Sequence, residues 1–168
     1  MKKILFICNS DSTHAMSWVN LLKKTNFEVR VFAVSFSNSN NRFLPNWEFP
    51  TYVMEAPKNR SRIKNELFVY FLSKILPSSI LKIIIQRYKL RERWLKNIIK
   101  NWKPDIIHSF PLNIGGKVAA STLKSIEKDL WPSWVASSWG SDIFLGIEGE
   151  KKEKDNIKYI LENCDGFF

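Results

Sequence analysis

The sequence predicts an α/β fold, an open parallel sheet with helices on both faces, and three stretches carry that prediction. Residues 3–34 read strand, helix, strand; residues 104–123 read strand, loop, helix; and Trp134-Val135-Ala136 is an apolar run that breaks off into polar residues with a glycine. A strand, a helix and a second strand within about 30 residues form a right-handed parallel unit in nearly all known cases. In such sheets, loops at the carboxyl ends of the strands gather on one side, where ligands bind.

Lys3 to Cys8 (KILFIC) has the continuous apolar character of a buried strand, and the polar loop Asn9 to Thr13 can end in a Ser12 or Thr13 helix cap. Met16, Val19 and Leu22, with Trp18, supply the apolar side of the helix that follows, and Lys23 and Lys24 suit its C-terminal dipole. Phe27 to Val34 alternates and then turns apolar, giving the second strand. Ser35 to Pro50, rich in Ser and Asn, reads as a loop closed by a short strand over Thr51 to Glu55. Ile63 to Leu76 and Ser78 to Trp102 read as two helices parted by Pro77. The second carries one apolar stripe through Leu81, Ile84, Ile85, Tyr88, Leu95, Ile98 and Trp102, and another through Ile80, Ile83, Leu90 and Trp94. One stripe can face a core, and the other lacks an obvious partner.

Ile106 and Ile107 form the next strand, His108 to Asn113 its loop, and Gly115-Gly116 opens a small-residue helix with Val118, Ala119, Ala120 and Leu123. After the strand Trp134 to Ala136 comes the polar loop Ser137 to Asp142, then a charged helix over Glu150 to Glu162. Gly166-Phe167-Phe168 starts a last strand, so the expectation is a longer protein cut at a domain edge.

The 168 residues suit one domain, residues 1–168, and 45% hydrophobic content with 14% aromatics excludes a disordered polypeptide. Cys8 and Cys164, far apart in sequence, read as reduced packing residues, which favours the cytoplasm. The apolar stretch after Met1-Lys2-Lys3 is too short for a signal peptide, and no window approaches the roughly 20 residues that span a bilayer. The net charge of +10 is concentrated in a basic helical insertion over 58–103, where thirteen Lys and Arg face only Glu66 and Glu92. A localised field of one sign points to an anionic partner. A solvated helical face, nucleic acid and anionic lipid are the three readings, and no recognisable nucleic-acid module occurs. Lys82, Arg87, Lys89, Arg91, Arg93 and Trp94, basic groups among apolar ones, best fit an interfacial helix on the inner face of a membrane.

Candidate site residues lie at the strand ends. The loop Asn9 to His14 contains no glycine, which argues against NAD or Walker-type phosphate binding there; Asn9, Ser10 and His14 remain as groups that can meet a substrate. His108 ends its strand and is either a satisfied structural residue or part of a site. Asn113 follows in the same loop, and Gly115 and Gly116 can bring backbone N–H groups to an anion or a hydroxyl, or serve tight packing. Trp139, Gly140, Ser141 and Asp142 put a flat ring, a flexible joint and a carboxylate together, as a sugar ring requires, and could equally be a turn. His108, Asn113, Trp139 and Asp142 are expected to share one crevice. No spacing supports a His/Cys zinc site or a G-x-S-x-G elbow.

Together these motifs resemble the N-terminal domain of family 4 glycosyltransferases of the GT-B fold. KKILFICNSDSTHAMSWVNLLKKTNFEVRVFAV is similar to their opening strand, loop, helix and second strand, PDIIHSFPLNIGGKVAA to their P-D-(I/V)-(I/V)-H strand and loop, and WVASSWGSDI to their (H/W)-G-S-D loop. The resemblance spares residues 35–103. It implies a Rossmann-like acceptor-side domain facing a C-terminal domain of the same chain, which would bind the UDP- or GDP-sugar. It also implies retaining transfer, without a required metal, to a glycan or lipid-linked acceptor. His108 would hydrogen-bond a hydroxyl of the transferred sugar, and Asn9 to His14 and Trp139 to Asp142 would line the same cleft. These residues alone would hold no cofactor and give no turnover. The alternatives are a stand-alone doubly wound binding module and a basic nucleic-acid or membrane-surface protein without enzymatic activity.

Overall fold

The computed structural model describes residues 1–9, 12–34, 48–54, 63–65 and 67–168, so Ser10, most of the Ser/Asn loop (35–47) and the start of the basic region (55–62) lie outside it. KILFIC forms β1 (Lys3–Cys8), buried along nearly its whole length, and lies at the middle of the sheet. It pairs in parallel with β2 (Glu28–Ala33) on one side and β5 (Ile106–Ser109) on the other. Beyond β2 come β3 (Thr51–Val53) and β4 (Ile63–Asn65), and beyond β5 come β6 (Ser133–Ala136) and β7 (Gly166–Phe167). Among the described residues the order is β4-β3-β2-β1-β5-β6-β7, all parallel. The chain therefore reverses its direction of travel across the sheet between β1 and β5, and a crevice opens outside the carboxyl ends of strands at such a point.

Alternation along the strands gives the sheet two apolar faces. Leu5, Ile7, Phe32 and Ile107 meet α4 (Leu90–Trp102), α5 (Lys117–Leu123) and α7 (Lys151–Asn163) through Leu95, Ile98, Trp102, Val118, Ala119 and Ile160. Ile4, Phe6, Cys8, Val29 and Val31 point to the other face, where α1 (Thr13–Asn20) brings Ala15 and Val19. Helices on both faces of a parallel sheet are what the sequence predicts. The small-residue pattern of α5 has a physical purpose, because Ala119 and Ala120 let the helix lie close against the strands.

The structure corrects four local expectations. Ile63–Asn65 is an edge strand, and the helix α2 (Leu67–Ile75) begins only after it. The expected helix over 78–102 is two, α3 (Ser78–Arg87) and α4, broken where Lys89 takes a left-handed conformation at φ 48°. The break serves two cores at once: Leu81 and Ile85 pack with Met54 and Val69 in a satellite cluster, while Leu95, Ile98 and Trp102 reach the main one. His108 lies within β5 rather than in the loop, held in register between Phe6 and Val135. Trp18, expected on the apolar side of α1, is 54% exposed.

At the amino ends of the strands a polar cluster closes the sheet. Trp102 donates its indole N–H to Glu28 Oε1 at 3.0 Å, Arg30 pairs with the same carboxylate at 3.1 Å, and the Arg30 guanidinium lies 4.3 Å from the Trp102 ring.

Candidate functional site

The opposite, carboxyl ends of β1, β5 and β6 carry the candidate site. His108 shares a face of the sheet with Phe6 and Phe110, and its ring lies 5.3 Å from the first and 5.2 Å from the second. Its Nε2 is 2.7 Å from Ser137 Oγ, at the end of β6. Burial among these rings pushes the His108 pKa down to about 4, because a charged imidazolium would lose its hydration there. At neutral pH the ring is uncharged, with one nitrogen that donates and one that accepts. It can hydrogen-bond a hydroxyl; it cannot serve as a cation for a departing phosphate.

The ring contacts continue outward. Phe110 lies 5.7 Å from Trp139, and Trp139 lies 6.2 Å from His14 on the first turn of α1. His14, Ser17, Trp18, Leu21, Trp139 and Ser141 line an open depression of about 650 Å³. His108 is not in that lining; it is half-buried, its ring against that of the fully buried Phe110. Ser12 fixes the start of α1 by accepting from the Ala15 N–H at 3.2 Å, and the carbonyl of Asn9, at the end of β1, accepts from the Ser12 N–H at 3.4 Å. Trp18 and Leu21 were not among the residues expected to meet a substrate. Their place follows from the packing of α1, which turns Ala15 and Val19 to the sheet and leaves Trp18 and Leu21 exposed, and the apolar spacing of the helix does not give it.

Asp142 belongs to the framework of the site. It is 2% exposed, and its carboxylate accepts from the Leu112 N–H at 2.6 Å, the Ser138 hydroxyl at 2.7 Å and the Trp139 N–H at 3.0 Å. The loop after β5 and the loop after β6 are thereby tied together, with Gly140, at φ 81°, making the sharp turn into α6 (Ser141–Glu148). Gly115 and Gly116 are both buried and packed. A Cβ on Gly115 would stand 2.1 Å from the Ile7 carbonyl oxygen, so the turn over 112–116 can lie against β1 only with glycine there. Asn113 lines a small crevice with Leu112, Asp142, Lys117, Glu153 and Asn156, a different one from the depression at Trp139.

The expected single crevice for His108, Asn113, Trp139 and Asp142 is therefore corrected: Trp139 lines one depression with His14, Asn113 and Asp142 line another crevice, and His108 lines neither, its ring reaching Trp139 through Phe110. Among the described residues no group of three His, Cys, Asp or Glu side chains comes together as a metal site would require. In the basic region, Lys82, Lys89 and Arg91 line a cleft with Lys117 and Lys152, Arg87 and Arg93 are exposed, and Trp94 is half-buried with its ring edge-on to Phe32 and Tyr52.

Against this geometry stands one match to known proteins. The description of the glycosyl transferase 4-like family fits residues 3–168. The chain belongs to that family. The match takes in residues 35–103, the part that the sequence motifs do not reach. No curated protein matches the chain. For a glycosyl transferase 4-like domain the ring-lined depression is chemically apt, since aromatic faces and hydroxyl groups are what a sugar ring meets with least desolvation.

Proposed function

We propose that the chain is the acceptor-binding half of a retaining glycosyltransferase, which moves a sugar from a UDP- or GDP-sugar to a glycan or lipid-linked acceptor on the cytoplasmic side of a membrane. The acceptor lies in the depression between α1 and the loop after β6, against Trp18 and Trp139. His108, uncharged and half-buried beside Phe110, acts on a hydroxyl of the transferred sugar. The nucleotide of the donor is held by a C-terminal domain of the same polypeptide. In keeping with this, the loop Asn9 to His14 has no glycine with which backbone could approach a pyrophosphate.

The observation that carries this reading is the chain of ring contacts from His108 through Phe110 and Trp139 to His14, at the switch point of a glycosyl transferase 4-like sheet. Retention would leave the anomeric configuration of the donor in the product, which proton NMR of the product reads directly.

The test is transfer by the full-length gene product, supplied with UDP- and GDP-hexoses and with glycan and lipid-linked acceptors. Trp139→Ala is expected to raise the acceptor KM about tenfold with kcat little changed, the pattern of lost uniform binding. His108→Ala is expected to lower kcat at least about tenfold. The 168 residues by themselves are expected to bind acceptor and to give no turnover. Full activity in both variants, or transfer at full-enzyme rates by this chain alone, would sink the assignment.

A further inference from the structure

Helix α2 is apolar on two sides, and one of them packs into the protein. Val69 and Leu72 pack inward against Leu81 and Ile85 of α3, in the satellite cluster with Met54. Phe68, Phe71 and Ile75, at helical spacing along the other side, are 58%, 63% and 78% exposed. Across the Pro77 turn, α3 repeats the arrangement, with Ile80 and Ile83 exposed opposite Leu81 and Ile85. Five large apolar side chains on one short helical hairpin are an exposed surface of a kind that soluble domains rarely leave uncovered.

The charges beside this surface indicate what covers it. From 67 to 103 the sequence has one acidic residue, Glu92, against Lys74, Lys82, Arg87, Lys89, Arg91, Arg93 and three further lysines. Behind the hairpin, Lys82, Lys89 and Arg91 join Lys117 of α5 and Lys152 of α7 around a cleft of about 470 Å³, five cations against the one carboxylate of Glu92 in the same lining. Arg87 follows Ile83 by one helical turn and is exposed with it, so a cation flanks the apolar patch directly. Apolar groups ringed by cations complement the acyl boundary and phosphate layer of an anionic bilayer. Nucleic acid fits less well: Phe68, Phe71 and Tyr88 are exposed, but Ile75, Ile80 and Ile83 in the same surface offer bases nothing to stack on, and the two tryptophans of this region are engaged in the fold, Trp94 with Phe32 and Tyr52 and Trp102 with Glu28. Among the described residues no helix is long and apolar enough to cross a membrane, so the contact is interfacial.

We propose that the α2–α3 hairpin is the membrane-contacting element of this protein, its tip from Ile75 to Ile80 entering the interfacial layer while Lys82, Lys89 and Arg91 hold anionic lipid headgroups in the cleft behind it. This keeps Lys82, Arg87, Lys89 and Arg91 of the basic surface expected from the sequence and adds the apolar hairpin to them, and it stands independently of the sugar-transfer reading.

The experiment is sedimentation with phosphatidylcholine vesicles, with and without phosphatidylserine, at low and high salt, together with quenching by brominated lipid. Serine-containing vesicles are expected to bind at least about tenfold better than neutral ones, and high salt to reduce that preference. A triple variant, Phe71→Ser, Ile75→Ser and Ile83→Ser, is expected to lose binding about tenfold while its far-UV circular dichroism and melting temperature stay unchanged. Lys82→Gln with Lys89→Gln is expected to erase the preference for the anionic vesicle. In Ile75→Trp, which keeps an apolar tip, brominated lipid is expected to quench the added indole beyond the wild-type background. The proposal is overturned by equal binding to both vesicles, by no binding, by an added indole that bound vesicles leave unquenched, or by tighter binding to a single-stranded oligonucleotide than to anionic vesicles.

Discussion

Asp142 and Leu112 stand thirty residues apart in sequence and are joined by a 2.6 Å hydrogen bond from the Leu112 N–H to a buried carboxylate oxygen. The same carboxylate holds Ser138 and Trp139, so one side chain sets the distance between the two loops of the site. Asp142→Ala leaves these donors without their acceptor, and a loss of about 3 kcal/mol of stability is expected. Asp142→Asn, which keeps an acceptor oxygen, is expected to lose less. Urea unfolding of both variants measures the difference.

The buried ring of His108 makes stability depend on pH. Its pKa falls from 6.5 to about 4 on folding, so between those values the unfolded chain takes up a proton that the folded chain refuses. Stability is therefore full above about pH 6.5 and declines as the pH drops toward 4, by at most about 3 kcal/mol given the ring's partial exposure. In His108→Gln this part of the slope is expected to vanish. Chemical denaturation at a series of pH values decides it; an unchanged slope would mean that the ring is not buried as described.

Gly115 and Gly116 are neighbours with unequal tolerance. Alanine at Gly115 would collide with backbone atoms of Ile7 and Phe110, none of which can swing aside. Gly115→Ala is expected to cost about 3 kcal/mol or more, while Gly116→Ala, which meets only the tip of the Ile160 side chain at 3.1 Å, costs about 1 kcal/mol. Thermal melting ranks the two.

Cys8 and Cys164 are both free, and they differ in access. Cys8 is fully buried, and burial raises its thiol pKa far above the usual range. Cys164, half-buried after α7, is raised more modestly, by burial and then by the nearby Asp165 carboxylate. An aromatic disulfide reagent is expected to label Cys164 slowly in the native protein and Cys8 only on unfolding. Rapid native labelling of both would contradict the placement of β1.

Much of this arrangement is legible in the residues, for reasons that differ from element to element. KILFIC and Trp134-Val135-Ala136 announce themselves because a strand covered on both faces must be apolar throughout. Ile63-Lys64-Asn65 gives no such signal: an edge strand needs backbone partners on one side only, and its pairing to Thr51, Tyr52 and Val53 is long-range. The break at Lys89 is hidden because no glycine or proline marks it; tertiary packing of two separate cores imposes the left-handed turn. At the site, the grouping of His108 with Trp139 follows from their strand-end positions. The framework role of Asp142, and the part played by Phe110 and Trp18, depend on side-chain directions that spacing alone does not give.

The register of β1 also bears on how the chain is made. Ile4 pairs with Val29, which leaves the ribosome soon after it, but its other neighbour, Ile106, is roughly a hundred residues downstream. At a synthesis rate of about 5–20 residues per second, the middle strand waits on the order of 5–20 seconds with one flank unpaired. During that interval the half-built sheet exposes Leu5 and Ile7 to whatever is nearby, and a nascent-chain chaperone that shields this flank would be expected to raise the yield of folded protein in a cell-free translation.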